Sequence, residues 1–262
     1  MALEAQAHPT KAQYERDGYV VFRNVLDAEL IAEASAHVEW LQRRHPQLRG
    51  EQLGHTLVAD DPFWVRLISD QRLLDVAEAF IGPDIALFAS HYISKPPFTG
   101  QPVLWHQDGS YWPLEPMNVV TLWLAVDRAL PENGCMRVIP GTHTVDLQKM
   151  QRRTDVANVL SSEIDGAFVD ESKAVDLVLE PGDVEVHHPN IIHGSNANNS
   201  ALRRCGLTIR YIPTSTRVVS AQPWPCIFLL RGKAVPGVNT YVPFPKYRSG
   251  EHMPFAGCEA WR

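Results

Sequence analysis

Apolar residues recur at Leu30, Ile31, Ala34, Val38 and Leu41, close to the 3.6-residue spacing of an amphipathic helix. The spacing predicts a helix over 28–43 with Asp27 as its cap. A second apolar run, 73–81, ends at Gly82-Pro83 and is predicted helical as well. From about residue 85 the pattern changes to short β-branched and aromatic segments between Pro and Gly turns: 85–95, 103–106, 119–127, 135–139, 176–179, 183–188 and 204–212. Such a series predicts a mainly β domain, a double-stranded β-helix or cupin-like jelly roll, with helices packed outside it. The chain divides into a helical part at about 1–84, a jelly-roll core at about 85–215 and a covering segment at 216–262, with no linker long enough to separate domains. The polar insert 145–174, which holds Gln148, Lys149, Arg152, Arg153 and Asp155, reads by composition as a solvated, partly mobile loop. Binding residues nevertheless concentrate on loops carried by a rigid scaffold.

Within the β region, His106 and Asp108 stand two residues apart in Leu104-Trp105-His106-Gln107-Asp108. On a strand such a pair projects to one side. A later histidine then completes a set of two imidazoles and one carboxylate, which leaves open positions on a metal, the mark of non-haem Fe(II) oxygenases as against closed structural zinc sites. Three histidines follow a Pro-Gly turn, at 187, 188 and 193. His187 and His188 are adjacent, so one faces the core or supports the site while the other is solvated. His193 is the preferred ligand, because Ile191-Ile192 there gives way to Gly194-Ser195, where the backbone passes close to a bound group.

The segment 203–211 alternates so that Arg204, Gly206 and Thr208 share one face. An arginine in an apolar sheet needs an anion, and its planar fork matches a carboxylate. A dicarboxylate that chelates iron through its 2-oxo-acid end and offers its far carboxylate to Arg204 satisfies both groups, and 2-oxoglutarate has that shape. Arg203 is read as a solvated neighbour on the opposite face and Arg210 as a surface ion pair. Large rings at Tyr111 and Trp112, just past the iron pair, are candidates for the pocket wall, as is His55 from the helical part.

With these residues assembled, the chain resembles the phytanoyl-CoA dioxygenase family of Fe(II)- and 2-oxoglutarate-dependent oxygenases. The likeness is carried by 14–22, Ile93-Ser94-Lys95-Pro96-Pro97, Trp105-His106-Gln107-Asp108, 122–127, 133–143 and 182–211. It implies His106, Asp108 and His193 as iron ligands, Arg204 as partner of the cofactor's distal carboxylate, and Trp123, Ser195 and His91 as further 2-oxoglutarate contacts. Thr208, on the Arg204 face, joins that cofactor set. Related halogenases carry a small residue in place of the aspartate. Asp108 therefore favours hydroxylation or another C–H oxidation, with 2-oxoglutarate and O2 consumed and succinate and CO2 released.

Bulk properties change this little. Thirty acidic against 24 basic residues give a net charge of −6 without a basic block, so nucleic-acid binding is not suggested. No apolar run approaches the roughly 20 residues of a membrane span, and four scattered cysteines form neither a disulfide framework nor a metal motif. A cytoplasmic enzyme acting on a small-molecule metabolite is expected, its oligomeric state open. Two readings compete. A metal-bearing but non-catalytic jelly-roll binding protein would tolerate loss of Arg204, and a zinc hydrolase gives no reason for that arginine. Within the enzyme class, an acyl-CoA 2-hydroxylase would need a basic cleft for the CoA phosphates, which Arg152 and Arg153 do not supply.

Overall fold

The computed structural model describes residues 11–261. Helix α1, over 11–17, leads into strand β1 (Tyr19–Phe22) and then α2 (Ala28–Arg44), α3 (Pro62–Ile68) and α4 (Gln71–Ile81). Asp27 caps α2 by accepting from the Leu30 amide, as its position predicts. The helix α3 is an addition to the sequence reading. Its signal was present in Asp61-Pro62: Asp61 accepts from the Trp64 amide at the cap, and Pro62 sits at the first helical position.

Nine further strands build the barrel: β2 (Ile85–Lys95), β3 (Val103–His106), β4 (Val120–Ala125), β5 (Met136–Val138), β6 (Val175–Asp176), β7 (Val184–His187), β8 (His193–Ser195), β9 (Arg204–Pro213) and β10 (Leu229–Arg231). They form two antiparallel sheets, the larger ordered β1-β7-β4-β9-β2-β10 and the smaller β3-β8-β5-β6. This is the jelly roll that the strand pattern predicts. One hydrophobic cluster joins the helices to the outer face of the larger sheet, with Leu30, Val38, Trp64, Leu73, Leu122 and Leu207 all buried in it. The covering segment contributes Phe228 and Phe255 to the same cluster, so burial of its apolar side chains ties it to the helical lobe.

The insert is more ordered than its composition suggests. Gln151–Arg152 and Ser162–Glu163 pair as a short hairpin. Backbone bonds from Val159 to Pro102 (3.0 Å) and from Ile164 to Trp105 (2.9 Å) dock it on β3. The driving force lies in a few apolar side chains, Ile164 above all, which is buried against Trp105, Ile139 and Ile192.

Candidate active site

Between the two sheets lies a cavity lined by His106, Asp108, His193, Trp123, Ser195 and Arg204, among others. His106 ends β3, and Asp108 opens a short 3-10 turn over Asp108–Tyr111 rather than continuing the strand. Gln107 keeps extended angles, φ −118° and ψ 120°, so the alternation survives to Asp108 and both side chains face inward. Strand β8 pairs His193 opposite His106. One ligating atom from each of the three residues lies within 4.8 Å of the others.

The donors are prepared for a cation. His106 Nδ1 lies 2.8 Å from the Leu104 carbonyl and His193 Nδ1 lies 3.0 Å from the Ile191 carbonyl. A carbonyl only accepts, so each ring carries its proton on Nδ1 and offers the Nε2 lone pair to the cavity. Burial and the nearby His106 and His187 hold His193 well below the ordinary imidazole range, which keeps it neutral and ligating. Burial alone would raise the Asp108 carboxyl. Arg210, His106 and His187 outweigh it and hold the group well below the usual carboxylate range, so it presents a negative charge. Two neutral imidazoles and one carboxylate suit a divalent iron with open coordination positions. Of the remaining histidines of this stretch, His187 turns towards the site, 3.7 Å from Asp108, and is held by the buried Glu185 at 2.8 Å. His188 turns the other way and lies against Tyr14 and His143.

The opposite end of the cavity is cationic. Arg204 is 2 % exposed. Its Nε donates to the Gly134 carbonyl at 2.9 Å, its Nη2 lies 3.4 Å from Ser195 Oγ, and it packs over the Trp123 ring at 5.4 Å. Burial pushes its guanidinium down to about 10, the sign of a cation without a counter-ion. Gly206 makes this packing feasible: a Cβ there would stand 2.0 Å from the Trp123 ring. Beside Arg204, the fully buried Lys95 donates to Ser195 Oγ at 2.7 Å and to the Asn196 carbonyl. Neither cation has a carboxylate within ion-pair distance among the described residues. A buried unpaired charge is costly, and two side by side form a receptor for an anion. Lys95 was visible in the Ile93–Pro97 motif, but nothing local showed that its ammonium reaches across to β8.

Trp123, Ser195 and Thr208 line this same cavity. His91 does not. It faces an adjoining hollow together with His55, Tyr111, Trp112 and Trp224, away from the cofactor position that the resemblance implied. The reason is register: His91 on β2 pairs with Thr208, while Lys95, four residues along, pairs with Arg204. Tyr111 is 42 % exposed, and its hydroxyl lies 2.6 Å from Ser162 Oγ on the insert. Arg203 lies on the opposite face as expected but is half-buried and paired rather than simply solvated, since Asp127 holds it at 2.7 and 2.8 Å. Arg210 departs further from expectation. It is buried, 3.3 Å from Asp108 and 2.8 Å from Thr208, over the Trp112 ring at 5.2 Å. Alternation from Arg204 through Gly206 and Thr208 reaches Arg210, and the irregularity in the β2–β9 register falls only after it.

Comparisons with known proteins place the chain in a family. Residues 14–206 match the family model described as phytanoyl-CoA dioxygenase (PhyH). The chain is 27% identical over 245 residues to an ectoine dioxygenase of Sphingopyxis alaskensis, covering 81% of this chain and 80% of the relative. It is 30% identical over 164 residues to a probable alpha-ketoglutarate-dependent hypophosphite dioxygenase of Stutzerimonas stutzeri, covering 62% of this chain and about half, 54%, of that relative. Among solved structures, the non-heme monooxygenase ThoJ superposes with a TM-score of 0.76 at 23% identity, covering 89% of this chain and 87% of that one. The chain thus belongs to the phytanoyl-CoA dioxygenase (PhyH) family, the non-haem iron, 2-oxoglutarate-dependent dioxygenases.

Proposed function

We propose that this dioxygenase oxidises a C–H bond of a small-molecule metabolite, as a single catalytic domain in which His106, Asp108 and His193 hold Fe(II). Iron held there would supply O2 activation coupled to decarboxylation of 2-oxoglutarate to succinate and CO2. The chain's own residues supply position and charge. Arg204, with Lys95 and Ser195, takes the far carboxylate of 2-oxoglutarate, and Trp123 and Thr208 form the walls around it. Two cations there convert a desolvation cost into cofactor affinity once the anion arrives. His55, Tyr111, Trp112 and His91 face the substrate, and Val159 and Leu160 of the insert border both spaces, where they exclude water from the reacting centre.

Asp108 occupies the position that a halogenase leaves to chloride, so the product is hydroxylated or otherwise oxidised rather than halogenated. A CoA ester is disfavoured, since Arg153 spends its guanidinium on Asp155 and Glu163. Among the described residues no helix is long and apolar enough to cross a membrane. The four cysteines are buried free thiols, in keeping with a reducing cytoplasm.

The observation that carries the reading is the pair of buried, carboxylate-free cations facing a histidine–aspartate–histidine set whose Nε2 atoms are kept free. The test is succinate formation by purified protein with Fe(II), 2-oxoglutarate and O2, each omitted in turn. Succinate that depends on all three is expected. Tight metal binding without succinate would favour the binding protein, and hydrolysis supported by zinc would favour the hydrolase.

A further inference from the structure

Three side chains in the substrate hollow form a row whose hydrogens are fixed by chemistry. Arg210 Nη1 lies 3.1 Å from His91 Nδ1. A guanidinium has no lone pair to offer, so His91 Nδ1 accepts and carries no proton. The ring proton therefore sits on His91 Nε2, which lies 3.1 Å from His55 Nδ1 and donates to it. His55 is fixed in turn: its Nδ1 accepts, and its Nε2 carries the hydrogen. No acceptor among the described residues meets that Nε2–H, and His55 lines the hollow. Burial, then the charge of Arg210, hold both imidazoles below their ordinary value, so both remain neutral.

The surroundings restrict what the hollow takes. His55 stacks on Trp224 at 5.4 Å and 13°, and Trp112, Val159 and Leu160 supply further apolar wall. The charges at its edge are already engaged. Arg210 is held by Asp108 and Thr208, and the buried Glu51 accepts from Arg49 at 3.0 Å and from the Gln101 amide at 2.9 Å. An ionic substrate would find no free counter-ion among the described residues, whereas a neutral one with an acceptor atom finds the unpaired His55 Nε2–H at the wall.

We propose that His55 positions the substrate through its Nε2–H, and that the substrate is an uncharged, largely apolar, ring-bearing molecule with a carbonyl or ether oxygen. This rests on the reading of the adjoining cavity as the iron and 2-oxoglutarate site. The row also assigns a task to Arg210 and His91: they are positioning residues that set the tautomer of His55.

The test uses the full-length protein labelled with ¹⁵N-histidine and loaded with Zn(II) and 2-oxoglutarate. The neutral bicyclic ketone 1-tetralone serves as probe, and the hydrocarbon tetralin, which lacks the acceptor, as control. Long-range ¹H–¹⁵N spectra are expected to show His91 and His55 both as neutral Nε2–H tautomers. Tetralone should shift the His55 Nε2 resonance and bind about fivefold tighter than tetralin, the size of one net hydrogen bond. His55→Phe should erase that preference, and His55→Gln, whose amide still donates, should keep it. A His55 protonated on Nδ1, equal binding of ketone and hydrocarbon, binding of neither, or a preference surviving His55→Phe would each overturn the proposal. Succinate release by wild-type protein with Fe(II) and no probe is measured in parallel. Its absence would sink the oxygenase reading while leaving the tautomer and ketone results standing, and its presence alongside equal binding would sink only the role of His55.

Discussion

The two spaces that meet at Asp108 are built in opposite ways. At the end proposed for the cofactor, the polar groups stand on barrel strands: Lys95 on β2, Ser195 on β8, and Arg204 and Thr208 on β9. All four are buried, and the two cations among them have no carboxylate at ion-pair distance among the described residues. On the side proposed for the substrate, His91 and Arg210 stand on β2 and β9, but most other groups come from separate connections. His55 lies between helices, Tyr111 and Trp112 follow β3, Val159 and Leu160 belong to the insert, and Trp224 precedes β10. The first region stores desolvation cost in a rigid frame, as suits an invariant dianionic ligand. The second is largely aromatic, with its charges paired and much of its wall loop-borne, so that part can be altered without disturbing the barrel.

The comparison breaks hardest at a residue the two spaces share. Asp108→Ala removes a ligand, and we expect a loss beyond the roughly 10–100-fold that a merely supporting group costs, read as succinate formation and bound iron. Near-normal turnover would remove Asp108 from the metal set. In His193→Ala the same assay should also collapse. Full activity would instead identify His187, whose ring centroid is 4.8 Å from that of His193, as the ligand.

Next in size is the clamp. Arg204→Lys keeps the charge and loses the fork, so the KM for 2-oxoglutarate should rise by roughly tenfold, about 1.4 kcal/mol. Arg203→Lys should leave that KM alone and lower Tm instead, because it breaks the two-point pair with Asp127. Equal KM effects from the two variants would mean that the assigned strand register or the cofactor is wrong.

Lys95→Met separates affinity from stability. We expect the KM for 2-oxoglutarate to rise roughly fivefold, while the cofactor-free protein gains stability by losing an uncompensated buried cation. Burial, then the neighbouring Arg204, hold the Lys95 ammonium well below its usual range. Unfolded lysine binds its proton below about 10.4, and folded Lys95 does so only at lower pH. Relative to Lys95→Met, the wild-type Tm should therefore fall as pH drops below about 10 towards that depressed value. A flat difference would show that Lys95 is paired in solution.

The smallest effect belongs to the loop-borne side. Tyr111→Phe removes the hydroxyl contact with Ser162, and amide exchange at Ser162 and Glu163 should quicken by roughly threefold while β8 is unchanged. Faster exchange in β8 as well would mean that the insert is part of the frame rather than its cover.

The family, the barrel and the convergence of the candidate metal set were legible because they rest on local regularities. Alternation along a strand places His106 with Asp108 and Arg204 with Thr208 wherever the strand lies, and the Asp27 cap and the Gly82-Pro83 stop bound their helices by chemistry within a few residues. Tertiary structure alone decided the partners. Arg210 follows the same alternation as Arg204, yet only the packing of β9 against β4 and β2 shows that it meets Asp108, 102 positions away. Lys95 reaches Ser195 across 100 positions, and His91 meets His55 in the adjoining hollow. The sequence by itself determined which groups face inward, since that is a property of the backbone period. What each one touches depends on register and on how separate loops close over the barrel, and no local pattern encodes that.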